Sequence, residues 1–228
     1  MKRIGILGGI GPASTLEYYK WLNDGVHSAL GAPHTADIVL ISLDGKKMQG
    51  LRQAGDDDGE GAYFAAEAKK LEQMGADFIV IASNTSHKNV PYIEKSVSIP
   101  VVHLADATAK RVKEAGLHKI GLLGTKLTME SDFYISRLKA AFLDVTIPEA
   151  DDRDFISETI YTELLQSVIR PEVKDCFRRI ITDLKAKGVE CIVLGCTELT
   201  LLDLSNVGVP LFDTTRIHVE EALKLALE

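Results

Sequence analysis

The chain has 228 residues, 46% of them hydrophobic and 26% charged, with a formal net charge of −7. This is an ordinary balance for a globular protein large enough to bury a core. The acidic balance and the lack of a basic block exclude nucleic acid and anionic membrane as principal partners, and no apolar run is long enough to span a bilayer. Three cysteines, Cys176, Cys191 and Cys196, do not form a disulfide framework and suit a reducing cytoplasm.

In chain order, Arg3 to Leu7 reads as a buried strand, without a signal-peptide pattern. Gly8-Gly9-Ile10-Gly11-Pro12 breaks it. Ser14-Thr15-Leu16-Glu17 has capping-box spacing, with Ser14 as N-cap of a helix running through Leu30. A glycine-rich turn from strand to helix suggests an anion site around Gly9 and Ile10, without the third glycine of a dinucleotide fingerprint. Asp37 to Leu43 is a second strand. Lys46, Lys47 and Arg52 follow on a short helix, either as a solvated face or as cations for an acidic ligand.

Asp56, Asp58, Glu60, Gly61 and Glu67 fall at calcium-loop positions. Ala62 to Met74, however, reads as one continuous helix, so the acids are better read as its entrance. Asp77 to Ala82 is a third strand, delivering Ser83-Asn84-Thr85-Ser86-His87. Val101 to His103 is a short strand and Asp106 to Ala115 a helix. Lys119 to Leu123 opens a second series: a helix from Thr128 to about Phe142, a strand Val145 to Ile147, and helices Asp154–Val168 and Glu172–Lys187. The strand Ile192 to Leu194 comes next, then Leu211 to Asp213 and a last helix, Thr215–Leu227.

The two halves match. Lys2-Arg3-Ile4-Gly5-Ile6-Leu7-Gly8 resembles His118-Lys119-Ile120-Gly121-Leu122-Leu123-Gly124. Gly75-Ala76-Asp77-Phe78-Ile79-Val80-Ile81-Ala82-Ser83 resembles Gly188-Val189-Glu190-Cys191-Ile192-Val193-Leu194-Gly195-Cys196. Ile99-Pro100-Val101-Val102 resembles Val209-Pro210-Leu211-Phe212. Strand–helix alternation in both halves predicts an α/β fold of two similar parallel-sheet, Rossmann-like domains. Ser83 and Cys196 then occupy equivalent strand ends, where open α/β sheets bind ligands. If the domains face each other, these side chains flank one cleft. A cysteine beside a strand is most often a small buried hydrophobe; backbone N–H groups and a following helix start would instead favour its thiolate. Two groups on opposite faces of a small substrate suit inversion of a stereocentre, with a base on one face and an acid on the other. No HExxH or paired CxxC motif is present, and no lysine sits in a recognisable cofactor motif.

With these residues in view, the chain resembles the aspartate/glutamate racemase family. The pieces that carry the resemblance are Gly8-Gly9-Ile10-Gly11-Pro12, Asn84-Thr85-Ser86-His87, Leu123-Gly124-Thr125 and Leu194-Gly195-Cys196-Thr197-Glu198-Leu199, which span nearly the whole chain. The resemblance implies cofactor-independent racemisation of a small acidic amino acid, in a cleft between two pseudosymmetric domains of a cytoplasmic homodimer. It implies a first domain of residues 1–100 plus 210–228 and a second of 101–209. It also implies two catalytic positions, Ser83 and Cys196, and substrate binding by Asn84, Thr85, Thr125 and Thr197. Gly9 and Ile10 are further candidates, and Lys47 and Arg52 are candidates for the side-chain carboxylate.

The departure is Ser83, where the family pattern has cysteine. Serine is far less acidic than cysteine and needs a helper, for which His87 is a candidate. Three readings stand: a replacement introduced for cysteine, a natural hydroxyl residue as in a branch acting mainly on L-isomers, or different chemistry. Arylmalonate decarboxylase-like relatives, which keep only the second cysteine, illustrate the last. The rest of the chain is more similar to the L-preferring branch. A single-cysteine lyase or isomerase of dicarboxylic acids and a non-catalytic acidic amino-acid binder are the alternatives.

Overall fold

The computed structural model describes residues 1–166 and 168–228. It divides into two compact units, Met1–Leu104 with His218–Glu228, and Ala105–Ile217.

The first unit holds strands β1 (Ile4–Gly8), β2 (Ile38–Ser42) and β3 (Phe78–Ile81), in the order β2-β1-β3 and all parallel. Its helices are α1 (Pro12–Leu30), α2 (Gly45–Gln53), α3 (Asp57–Gln73) and the short α4 (Val90–Glu94). The strands carry apolar residues without polar alternation because helices cover both faces. On one face Leu7, Ile79 and Ile81 meet Phe64, Ala68 and Leu71 of α3 and Ile93 of α4. On the other, Ile4, Ile6, Phe78 and Val80 meet Tyr18 and Leu22 of α1 and the apolar side of the last helix. The segment expected as a strand at Val101 to His103 makes only a parallel bridge, Val101 with Ile79.

The second unit has strands β4 (Lys119–Gly124), β5 (Asp144–Thr146), β6 (Cys191–Gly195) and β7 (Leu211–Asp213), ordered β5-β4-β6-β7 and parallel. Its helices include α5 (Leu104–Glu114), α6 (Lys126–Glu130), α7 (Asp132–Ala140), α8 (Ala150–Thr162) and α9 (Pro171–Ala186). Helix α10 (Thr214–Leu227) begins here and finishes in the first unit.

The repeat read from sequence extends to individual hydrogen bonds. Ile79 N–H donates to Pro100 O at 2.9 Å, and Ile192 N–H donates to Pro210 O at 2.9 Å. Asp77 N–H donates to Arg3 O and Glu190 N–H to Lys119 O, both at 2.8 Å. The carboxylates of Asp77 and Glu190 in turn accept the backbone N–H of Arg3 and Lys119. The chain is therefore two parallel α/β units of the same internal topology.

Several boundaries differ from the sequence reading. Helix α1 starts at Pro12 with Gly11 as N-cap, so Ser14 lies inside the first turn and is not the N-cap. Proline at N1 is already preorganised for a helix, which removes the need for a capping serine. The helix expected from Thr128 to Phe142 is two helices, broken at Ser131, whose ψ of 141° is extended. Helix α8 stops at Thr162, and a short 3₁₀ turn, Leu164–Gln166, follows. The expected end of that helix includes Ser167, which lies outside the described residues. The chain returns to the first unit at His218 rather than near residue 210, because β7 pairs with β6 and so stays in the second unit.

Candidate active site

In each unit the third strand hands the chain to a 3₁₀ turn. After β3, Ser83 and Asn84 lead into Thr85–Asn89; after β6, Cys196 leads directly into Thr197–Leu202. A full helix N-terminus, expected after Cys196, is not present: six residues of 3₁₀ helix carry little of the aligned dipole of a long α-helix.

In the second unit Gly124 pairs with Gly195, so the next residue along each strand, Thr125 and Cys196, sit side by side at the carboxyl edge of the sheet. Thr125 caps α6, its Oγ1 accepting from Thr128 N–H. Thr197 Oγ1 lies 3.1 Å from Thr215 Oγ1, the first turn of α10. Cys196 is partly buried, and its Sγ–H donates to Glu198 Oε2 across 2.9 Å. Burial first, and then the adjacent Glu198 carboxylate, push the thiol well above the ordinary thiol range, outweighing the N–H groups of Thr197 and Glu198 that act the other way. The resting group is thus a protonated thiol aimed at a carboxylate, not the thiolate that the strand-end position suggested. Glu198 is a contact of the sulfur that was not singled out in the sequence; its signal is the spacing Cys-Thr-Glu, which puts a carboxylate two residues from the sulfur.

In the first unit Leu7 pairs with Ile81. The continuing strands bring Gly9 and Ile10 to the same edge as Ser83. Gly9 has φ of +80°, and a Cβ there would fall 2.5 Å from the backbone N and O of Leu43, so only glycine fits. Ile10 packs into the apolar cluster under β1 and β3. Asn84 is buried and Thr85 half-buried. Ser83 Oγ has three near neighbours: Ser86 Oγ at 3.1 Å, Thr85 Oγ1 at 3.3 Å and Ser86 N at 3.4 Å.

His87 is not the helper for this hydroxyl. Its Nε2 accepts from Leu104 N–H at 3.2 Å, which assigns the proton to Nδ1, and Nδ1 donates to Ser83 O at 2.7 Å. The ring holds the backbone of Ser83 and leaves its side chain alone.

The cations are placed differently from one another. Lys47 is exposed, its Nζ 4.0 Å from the centroid of the Tyr63 ring. Arg52 is bound inward: Nε and Nη2 reach Glu60 Oε1 at 3.0 and 2.8 Å, and Nη2 also reaches Ser86 Oγ at 3.0 Å. Glu60 is fully buried and also meets Lys88 and Asn89. The acidic run that resembled a calcium loop is the start of α3, capped by Asp56 accepting from Gly59 N–H. Gly61 is required by packing, since a Cβ there would lie 2.4 Å from the Tyr92 ring. Among the described residues no group of His, Cys, Asp and Glu is arranged to hold a metal ion, and no helix is long and apolar enough to cross a membrane.

Comparison with known proteins agrees with this picture. Residues 7–222 match the Asp/Glu/Hydantoin racemase family. The broad specificity amino-acid racemase RacX of Bacillus subtilis is 25% identical over 218 residues, covering 93% of this chain and 92% of that protein. Among solved structures, a candidate Asp/Glu racemase from Yersinia pestis superposes with a TM-score of 0.96 at 40% identity, over 100% of both chains. An aspartate racemase homologue from Pyrococcus horikoshii superposes with a TM-score of 0.88 at 32% identity, again over 100% of both. The chain belongs to the Asp/Glu/Hydantoin racemase family. It is an enzyme of the amino-acid racemase class.

Proposed function

We propose that this racemase acts on aspartate, glutamate or both without a cofactor, as a cytoplasmic homodimer. Cys196 removes the α-proton of the L-isomer and the Ser83 side returns a proton to the opposite face. The observation that carries the reading is the pairing of the Cys196 thiol with Glu198 at 2.9 Å, at the strand end equivalent to Ser83. A thiol in this state becomes a base only when its proton has somewhere to go. Glu198 accepts it as substrate binds, and the thiolate then takes the α-proton. Asn84, Thr85, Thr125 and Thr197, with the backbone at Gly9 and Ile10, hold the α-carboxylate and amino groups. The exposed Lys47, with Lys46 beside it, serves the side-chain carboxylate, since Arg52 is already engaged by Glu60 and Ser86.

The test is α-proton exchange in deuterated water with each isomer of aspartate and glutamate. Neutral and basic amino acids belong in the same panel, because RacX is described as broad in specificity. Exchange from L-aspartate or L-glutamate that disappears in Cys196→Ala is the expected result. Folded protein that exchanges no isomer of any of them overturns the reading.

A further inference from the structure

Ser83 is held in a way that a merely structural serine would not require. Its own backbone is fixed by His87, and its hydroxyl sits at the end of a directed chain. Arg52 Nη2 donates to Ser86 Oγ at 3.0 Å. An arginine has no acceptor, so Ser86 Oγ is the acceptor in that contact, and its O–H is left to donate onward. The onward partner is Ser83 Oγ at 3.1 Å. Ser86 N–H approaches the same oxygen at 3.4 Å. Both groups therefore present protons to Ser83 Oγ, and the hydroxyl proton of Ser83 is directed away from them.

The base of the chain is rigid. Ser86 is fully buried, and Arg52 is pinned by two bonds to one oxygen of the fully buried Glu60. Glu60 is held in turn by Asn89 at 3.0 Å and Lys88 at 2.8 Å.

We propose that Ser86, backed by Arg52, is a positioning residue that lowers the cost of proton release from Ser83. This rests on the racemase reading above and specifies how its weaker half works. When the substrate carbanion is protonated, the Ser83 O–H bond breaks and a Cα–H bond forms. The electron pair stays on Ser83 Oγ, which accepts from Ser86 O–H and N–H, with the Arg52 charge one bond further back. Water then reprotonates Ser83. By microscopic reversibility the same donors also stabilise the alkoxide that would take the α-proton of the D-isomer, so they act on inversion in both directions.

The experiment compares two rates in deuterated water from the L-isomer: exchange with retention, which Cys196 performs alone, and appearance of the D-isomer, which needs Ser83. Ser86→Ala should lower the ratio of inversion to retention by about tenfold or more, as expected for loss of a hydrogen bond to a charged atom. Ser86→Gly removes the same hydroxyl and serves as a second variant, and thermal melts check that each is folded. A cysteine at position 83 ionises without help. In the Ser83→Cys background, therefore, the effect of Ser86→Ala should shrink to less than about threefold. A ratio unmoved by Ser86→Ala, or lowered equally in both backgrounds, overturns this inference and leaves the racemase reading standing. Absence of any exchange in the unsubstituted protein overturns both.

Discussion

The thiol of Cys196 donates to the carboxylate of Glu198 across 2.9 Å, so the sulfur at rest is a protonated thiol whose proton acceptor is already in place. Glu198→Gln keeps the shape and removes the acceptor and the charge. The carboxylate is one of the causes that raise the thiol. Its removal should therefore shift the pH midpoint of iodoacetamide alkylation of Cys196 downward, while α-proton exchange from the L-isomer falls by about 100-fold or more. Reactivity and catalysis should thus move in opposite directions. A variant in which both fall would show that Glu198 acts only on the fold.

Ser83→Cys replaces a weak acid by a thiol whose ordinary pKa is about 8.5. Turnover of the D-isomer, which requires a base at this position, should rise by at least about tenfold, measured by chiral separation of products. An unchanged preference between isomers would remove Ser83 from its assigned role.

Glu60 is a buried anion between Arg52 and Lys88. Burial opposes its charge, but bonds from Arg52, Lys88 and Asn89 together hold its carboxyl below the ordinary glutamate range. Glu60→Gln takes the carboxylate from Arg52 and leaves Lys88 with Asp57 alone, and should cost about 3 kcal/mol in urea unfolding at neutral pH, or roughly 6–12 °C in Tm for a chain of this size. A lowered pKa contributes stability above the unfolded value and loses it as pH falls through the folded one. The gap between the two proteins should therefore narrow as pH falls below the ordinary glutamate range and close only as the depressed carboxyl of the folded protein is itself protonated.

His218 is fully buried, with Nδ1 2.7 Å from Tyr18 Oη and Nε2 2.8 Å from Val102 O. Burial pushes it down to about 4. The unfolded chain binds a proton near pH 6.5 that the folded chain refuses, so stability is fully present above 6.5 and declines as pH falls towards 4. Between pH 7 and pH 5 the loss should be about 2 kcal/mol by urea titration. His218→Gln should flatten that slope. His87 and His103, whose rings lie near it or near one another, are the same in both proteins and cancel in the difference. An equally steep slope in the variant would assign the acid sensitivity elsewhere.

Much of the fold was legible because buried parallel strands are continuous apolar runs. Ile4–Gly8, Phe78–Ile81, Lys119–Gly124 and Cys191–Gly195 stand out as such, and their repetition gave the two-unit plan. The Val101 segment was harder, because a single bridge leaves no periodicity to read. The break at Ser131 is hidden because Leu127, Met129 and Glu130 before it are good helix formers and neither glycine nor proline marks it. At the site, the strand ends carrying Ser83 and Cys196 followed from the repeat. Their partners did not, because side-chain contacts depend on rotamers rather than on spacing. In sequence Arg52 reads as part of a solvated face or as a cation for an acidic ligand, since nothing in a linear sequence shows that Glu60, eight residues on, buries itself against it.

The return of α10 to the first unit has a consequence for synthesis. Lys2 N–H is bonded to Ala226 O at 2.8 Å, and Val219, Ala222 and Ala226 cover one face of the first sheet. Chains emerge from the ribosome N-terminus first, and domains generally fold as units in that order. Here the order is inverted. The unit that begins first has that face of its sheet covered by α1 alone until residues 218–228 have been made, whereas Ala105–Ile217 is continuous and has its strands beforehand. The second unit, with Cys196 and Glu198, is the part of the nascent chain able to fold first, and the Ser83 side is completed after it.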